Sequence, residues 1–281
     1  MSARAARAHV IVIGGGFAGL GCTRRLARQP DVDITLLDRN NYHQFQPLLY
    51  QVATSQLLAG SIAVSLRKVV HRHANVDVKM AEVESIDPVA GRVTATDGGV
   101  WTGDAIVLAA GSQPNFFGTM GAAEHAFPLY SLHDATHLRS RILGLFEAAD
   151  RDHSLLDRGA LNFVIVGGGP TGVETAGALA DMLRLTMPIE YRDLGVDAAR
   201  VHLVDIGTNL LAPFSPRAHK YVAKVLRRKG VELHMETKVT EVGPGHVTLS
   251  DRPGLGVEMN WNEWERAYPY RSQSLRPPGG R

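Results

Sequence analysis

Two short glycine runs are suited to binding phosphate. Gly14-x-Gly16-x-x-Gly19 lies in "IVIGGGFAGL", and Gly167-x-Gly169-x-x-Gly172 lies in "VIVGGGPTGV". In such a pattern the first glycine permits a tight turn. The second lets backbone approach a pyrophosphate, and the third lets a helix lie close on a strand. Free N–H groups and the dipole at the helix start then favour an anion, by about 0.3–1 kcal/mol at an exposed site. An acid closes the strand that follows each run: Asp38 in the first case, Asp205 in the second. A carboxylate there can accept hydrogen bonds from a ribose diol. Asp205 is followed by "IGTNLL", with no close Arg or Lys. It would repel a 2′-phosphate, so the second loop favours NADH over NADPH.

The flanking elements must put these residues in place. His9–Ile13 is a short apolar β-branched run that predicts a buried strand. Helical spacing follows over Phe17–Gln29, stopped by Pro30, and Asp33–Leu37 predicts a second strand. From Val76 to Val107 the pattern turns to short alternating strands with turn signals at "DPVAGR" and "TDGG". Ala105–Ala110 predicts a strand ending at Gly111, and Asp134–Ala149 an amphipathic helix. The second half repeats the device: strand Leu161–Val166, helix Gly172–Leu185, a loop at Met187–Arg200, strand Val201–Asp205. A helix over Ser215–Lys229 stops at Gly230, and Val231–Val242 is β-rich. Residues 251–281 show no period and read as an irregular tail. The expected fold class is α/β: two Rossmann-like dinucleotide-binding domains, parallel sheets and a β-rich crossover. Two dinucleotides in one chain imply a hydride passing from a nicotinamide to a flavin.

Composition removes several other classes. The 281 residues are 44% hydrophobic and 21% charged, ordinary for a globular protein, and the net charge of +2 argues against nucleic acid. No apolar run approaches the roughly 20 residues of a membrane span, and the N-terminus lacks a secretory h-region. A cytoplasmic location is therefore expected. Cys22 is the only cysteine, so no redox dithiol or cysteine metal site can form within the chain. His71/His73 and His133/His137 have pair spacing, but neither has an evident third ligand, so no metal is expected at them.

The chain resembles type II NADH:quinone oxidoreductases, the single-subunit, non-proton-pumping NADH dehydrogenases among the two-dinucleotide-binding flavoproteins. Four stretches carry the resemblance: "HVIVIGGGFAGLGCTRRL", "ITLLDRNNYHQFQPLLYQVAT", "DAIVLAAGSQPNFFG" and "FVIVGGGPTGVETAGALADM". The resemblance implies that Gly14, Gly16, Phe17, Ala18, Gly19 and Asp38 hold the ADP portion of FAD. Arg39, Asn40 and His43 would lie near the same cofactor, and Gln46, Pro47 and Leu48 beside the flavin. Val83 would meet adenine through its backbone. Ala109 and Gly111 match the family's strand-end "ATG" element, with Ala110 in place of its threonine. Gly167, Gly169, Thr171, Gly172, Glu174 and Asp205 would serve NADH, with Glu174 as the candidate catalytic acid. The plainer reading of Glu174 is an acid in a first helical turn, favoured by the dipole. The implied domains are 8–118 for FAD, 119–158 as a connecting helical segment, 159–250 for NADH and 251–281 as a tail foreign to the family.

The implied activity is hydride transfer from NADH to FAD, then two electrons to a membrane quinone. The implied setting is a respiratory chain on the inner face of the cell membrane, attached peripherally; a homodimer is compatible with it. After residue 250 the family's Gly-Asp strand end, quinone segment and amphipathic anchor are not found, so a C-terminally truncated relative is expected. Two alternatives stay open: an impaired chain that binds NADH only, and a soluble NADH:acceptor reductase.

Overall fold

The computed structural model describes residues 7–195 and 199–250. The irregular tail expected over 251–281 lies outside them. The chain folds into two compact units. Of the described residues, one takes those up to Gln46 and then Ala59–Gln113; the other takes Pro47–Leu58 and those from Pro114 to Ser250.

In the first unit, strand β1 (Ala8–Ile13) leads through the glycines into helix α1 (Phe17–Leu26), and β2 (Val32–Asp38) follows. A small antiparallel pair comes next, β3 (Tyr42–Gln44) with β4 (Ala63–Ser65). Strand β5 (Val76–Met80) precedes an antiparallel meander of β6 (Val83–Asp87), β7 (Arg92–Ala95) and β8 (Val100–Thr102). Strand β9 (Ala105–Leu108) closes a parallel sheet of order β5-β2-β1-β9. Its ladder ends at Leu108, short of the expected Ala110. From Val10 onward strand β1 is apolar and buried because both its faces are covered. Val10 and Val12 join Leu20, Ile34, Leu36 and Leu66 on one side, while Ile11 and Ile13 join Leu37 and Val93 on the other. Each such side chain contributes about 1.5–3 kcal/mol on burial.

The second unit repeats the plan with longer helices. Helix α2 (Leu132–Arg151) starts two residues before the expected Asp134. Ser131 and Asp134 form a capping box there: Asp134 N donates to Ser131 Oγ at 3.1 Å, and Ser131 N to Asp134 Oδ2 at 2.8 Å. Then come β10 (Asn162–Val166), α3 (Pro170–Asp181), β11 (Arg200–Val204), α4 (Pro216–Arg228) and β12 (Val231–His234). The three strands form a parallel sheet of order β10-β11-β12. A hairpin of β13 (Val239–Gly243) and β14 (His246–Leu249) follows.

The chain after α3 departs from the expected loop. A π-helical turn spans Met182–Thr186, and one more helical turn spans Met187–Glu190. Pro188 explains the switch. It has no N–H for the Arg184 carbonyl, and its ring would press on that group, so the chain widens by a turn. Met187 is buried in the core and holds the extension against the sheet.

Along β11 the side chains alternate. Val201 and Leu203 face the large core with Phe146, Ala176 and Leu179. Val204 joins Val164, Val239 and Val247 in a second cluster. His202, between Val201 and Leu203, points away from the large core.

Candidate functional site: two acid-clamped glycine loops

Gly14 turns the chain at φ +103°, a conformation that side chains rarely adopt. A Cβ there would lie 2.2 Å from the carbonyl oxygen of Ala109, at the end of β9. A Cβ on Gly19 would lie 1.7 Å from the Gly14 carbonyl oxygen, which is how closely α1 approaches the loop. Gly16 differs: a Cβ there meets nothing within 4 Å. Its backbone is extended, at φ −74° and ψ −167°. Folding alone does not demand glycine at 16, and the space over it is open among the described residues. The first-turn N–H groups of α1 open beside that space, since no helical carbonyl can reach them.

The second loop repeats these features. Gly167 has φ +110°, a Cβ on Gly172 would lie 1.8 Å from the Gly167 carbonyl oxygen, and a Cβ on Gly169 meets nothing within 4 Å. The exposed start of α3 carries Pro170 and Thr171. Proline at that first position costs no hydrogen bond, because its missing N–H would have no helical partner.

Each acid has a role that residue spacing does not reveal. Asp38 accepts from the N–H of Gly15 through Oδ2 at 2.6 Å and from that of Asn40 through Oδ1 at 2.7 Å. Asp205 accepts from Gly168 through Oδ2 and from Gly207 through Oδ1, both at 2.5 Å. In both loops the middle glycine of "GGG" is tied to the acid and capped by a leucine. A Cβ on Gly15 would lie 2.7 Å from Leu66, and one on Gly168 2.7 Å from Leu210. The carboxylates are half-buried and each has lone pairs left for a sugar. Gly15, Leu66, Gly168, Gly207 and Leu210 belong to the device, although spacing rules pass over them.

Around the first loop the structure brings together Gly14, Gly16, Phe17, Ala18, Gly19, Asp38, Asn40, His43 and Ala109. His43 Nδ1 lies 3.0 Å from the Gly15 carbonyl oxygen. The Phe17 ring meets His43 edge-on at 5.0 Å and Phe45 at 5.5 Å, forming an aromatic rim on the exposed side of the loop. Ala81 N donates to the Asp38 carbonyl at 2.8 Å, so β6 and its first residue Val83 leave from the same corner. Arg39 is exposed. Gly111, at φ +76°, lies just past the end of β9. Gln46 ends the first unit's opening segment, whereas Pro47 and Leu48 belong to the second unit. Around the second loop stand Gly167, Gly169, Thr171, Gly172 and Asp205. Glu174 sits one turn further along α3 on its exposed side; partial desolvation still raises its carboxyl above the usual range.

The cradles suit a dinucleotide. Open space over Gly16 and Gly169, unsatisfied helix N-termini and a carboxylate at each strand end are what a pyrophosphate and a ribose need. The two units together define a protein architecture with paired dinucleotide-binding loops. The chain belongs to the pyridine nucleotide-disulphide oxidoreductase family, whose sequence profile it matches over residues 8–258. It is 39% identical over 258 residues to the type II NADH:quinone oxidoreductase NdhA of Mycobacterium tuberculosis, covering 90% of this chain and 54% of that protein. The Ndh protein of the same organism is 38% identical over 253 residues, covering 88% of this chain and 54% of that protein. The fold matches NDH2 from Plasmodium falciparum in complex with NADH, with a TM-score of 0.79 at 21% identity, over 87% of this chain and 51% of that one. It also matches the sulfide:quinone oxidoreductase of Aquifex aeolicus, with a TM-score of 0.70 at 22% identity, over 88% and 55%. The chain thus spans about half the length of the curated relatives it matches. Among the described residues no helix is long and apolar enough to cross a membrane.

Proposed function

We propose that the chain is the two-nucleotide portion of a type II NADH:quinone oxidoreductase, with FAD on the first loop and NADH on the second. The observation that carries this reading is the duplicated clamp: one acid, one tied glycine and one open glycine in each unit. When bound, the FAD would supply hydride acceptance from NADH and two-electron delivery to a quinone. The chain's own residues have simpler tasks. N–H groups at the start of α1 hold the pyrophosphate of the flavin nucleotide, and the spare lone pairs of Asp38 receive its ribose hydroxyls. Phe17 and His43 shield that loop from water. At the start of α3 the N–H groups beside Gly169 and Thr171 hold the pyrophosphate of NADH. Asp205 receives the ribose diol and repels a 2′-phosphate. Glu174, whose carboxyl is raised by partial desolvation, orients the nicotinamide end or supplies a proton.

The test is turnover of the FAD-reconstituted chain with NADH and a short-chain quinone, beside a water-soluble dye. Quinone reduction with a strong preference for NADH over NADPH is expected. Dye reduction without quinone reduction would favour a soluble NADH:acceptor reductase. No turnover with either would contradict the proposal.

A further inference from the structure

The face of the second unit's sheet opposite the large core carries a group that the nucleotide loops do not use. His202 on β11 stands opposite Glu232 on β12, and His234 lies two residues further on the same face. His202 Nδ1 lies 3.1 Å from His234 Nε2 and 3.4 Å from Glu232 Oε2. One ligand atom from each residue falls within 4.8 Å of the others. Tetrahedral zinc with Zn–N bonds of about 2.05 Å has ligand-to-ligand edges of about 3.3 Å. The two separations from His202 bracket that edge.

We propose that His202, Glu232 and His234 form a binding site for a divalent transition cation, of which zinc is the best match. Two imidazoles and one carboxylate suit a borderline-soft ion and not magnesium or calcium, which take oxygen ligands. His202 is buried, with only 4% of its surface exposed, and its Nε2 has no hydrogen-bond partner among the described residues. The ring is therefore held by the protein through Nδ1 alone, the atom that faces the other two residues. Glu232 is exposed and His234 only partly buried, which leaves an entry path and a fourth position for water. Glu232 Oε1 lies 3.9 Å from Arg200 Nε, so the carboxylate keeps its second oxygen anchored. A bound ion would tie β11 to β12 and stiffen the sheet behind the second glycine loop.

Zinc titrated into the chelator-treated full chain, followed by calorimetry and by thermal melting, tests this. We expect one saturable site per chain and a rise in melting temperature. His234→Gln should weaken binding by more than about 100-fold, beyond the 10–100-fold typical of losing a group that only orients a ligand. Glu232→Gln, at an exposed position, should weaken it about tenfold, and guards against a folding defect in the histidine variant. His137→Gln, in the His133/His137 pair on α2, should leave it unchanged. Absence of saturable binding, or binding unaltered in both His234→Gln and Glu232→Gln, overturns the proposal and leaves a hydrogen-bonded histidine pair.

Discussion

Gly16→Ala separates what the first loop needs to fold from what it needs to bind. A Cβ at 16 meets no atom within 4 Å, and the extended backbone there accepts any residue. Loss of glycine flexibility in the unfolded chain stabilises by about 0.4–1 kcal/mol. Replacing glycine by alanine at a helix N-cap costs about 0.5–1 kcal/mol in return, because glycine ranks well above alanine there. The net change in folding should stay within about 0.5 kcal/mol. The methyl group instead enters the space through which a pyrophosphate reaches the N–H groups of α1. Loss of one hydrogen bond to a charged group removes about 1.5–3 kcal/mol. At about 1.4 kcal/mol per tenfold, the FAD dissociation constant should rise about 10- to 150-fold. Thermal melting of the flavin-free chain and flavin content after gel filtration read the two effects separately. The expected result is an unshifted melt with most flavin lost. Wild-type flavin content in Gly16→Ala would defeat this explanation of the open glycine, and so would a collapsed melt. Gly19→Ala is the counter-example: its Cβ would lie 1.7 Å from the Gly14 carbonyl oxygen, so the loop must move and the first unit should fail to fold stably.

Three further outcomes follow from the same geometry. Gly169→Ala should keep its flavin and weaken NADH binding about tenfold or more, checked by titrating NADH into the flavin-loaded variant. Asp205→Ala frees the N–H groups of Gly168 and Gly207, and should destabilise by about 1–3 kcal/mol for each one left unpaired, measured by urea unfolding. The raised carboxyl of Glu174 gives a pH signature. A carboxyl whose folded pKa is raised contributes stability that is complete below the unfolded value and lost as pH rises through the folded one. Glu174→Gln should therefore melt at or above the wild type at pH 7, and the gap should close below the ordinary carboxyl value of 4.5. A variant less stable at pH 7 than at low pH, relative to wild type, would contradict the assignment.

The glycine loops and their strands were legible because their signal is local. Three glycines, a β-branched run and an acid all sit within one strand–helix–strand unit. The clamp was less legible. Asp38 and Asp205 bind backbone N–H groups of Gly15, Asn40, Gly168 and Gly207, and backbone donors carry no residue-type signature. The capping box was written in the sequence as Ser131 and Asp134, and could have fixed the start of α2. The π-helical turn required weighing Pro188 against the Arg184 carbonyl, not helical period alone. The trio of His202, Glu232 and His234 is invisible to spacing, since it exists only in the parallel register of β11 and β12. The histidine pairs that spacing did single out differ. His133 and His137 stack along α2 with ring centroids 6.2 Å apart, and neither they nor His71 and His73 acquire a third ligand among the described residues.

Everything turns on whether one chain holds a flavin nucleotide and NADH on its two clamped loops. The visible spectrum of the purified, FAD-incubated protein, recorded without oxygen before and after one equivalent of NADH, decides it. A bound-flavin spectrum that bleaches on addition of NADH is expected. A protein that stays colourless after FAD, or one whose flavin is indifferent to NADH, would mean that the paired loops do not work together.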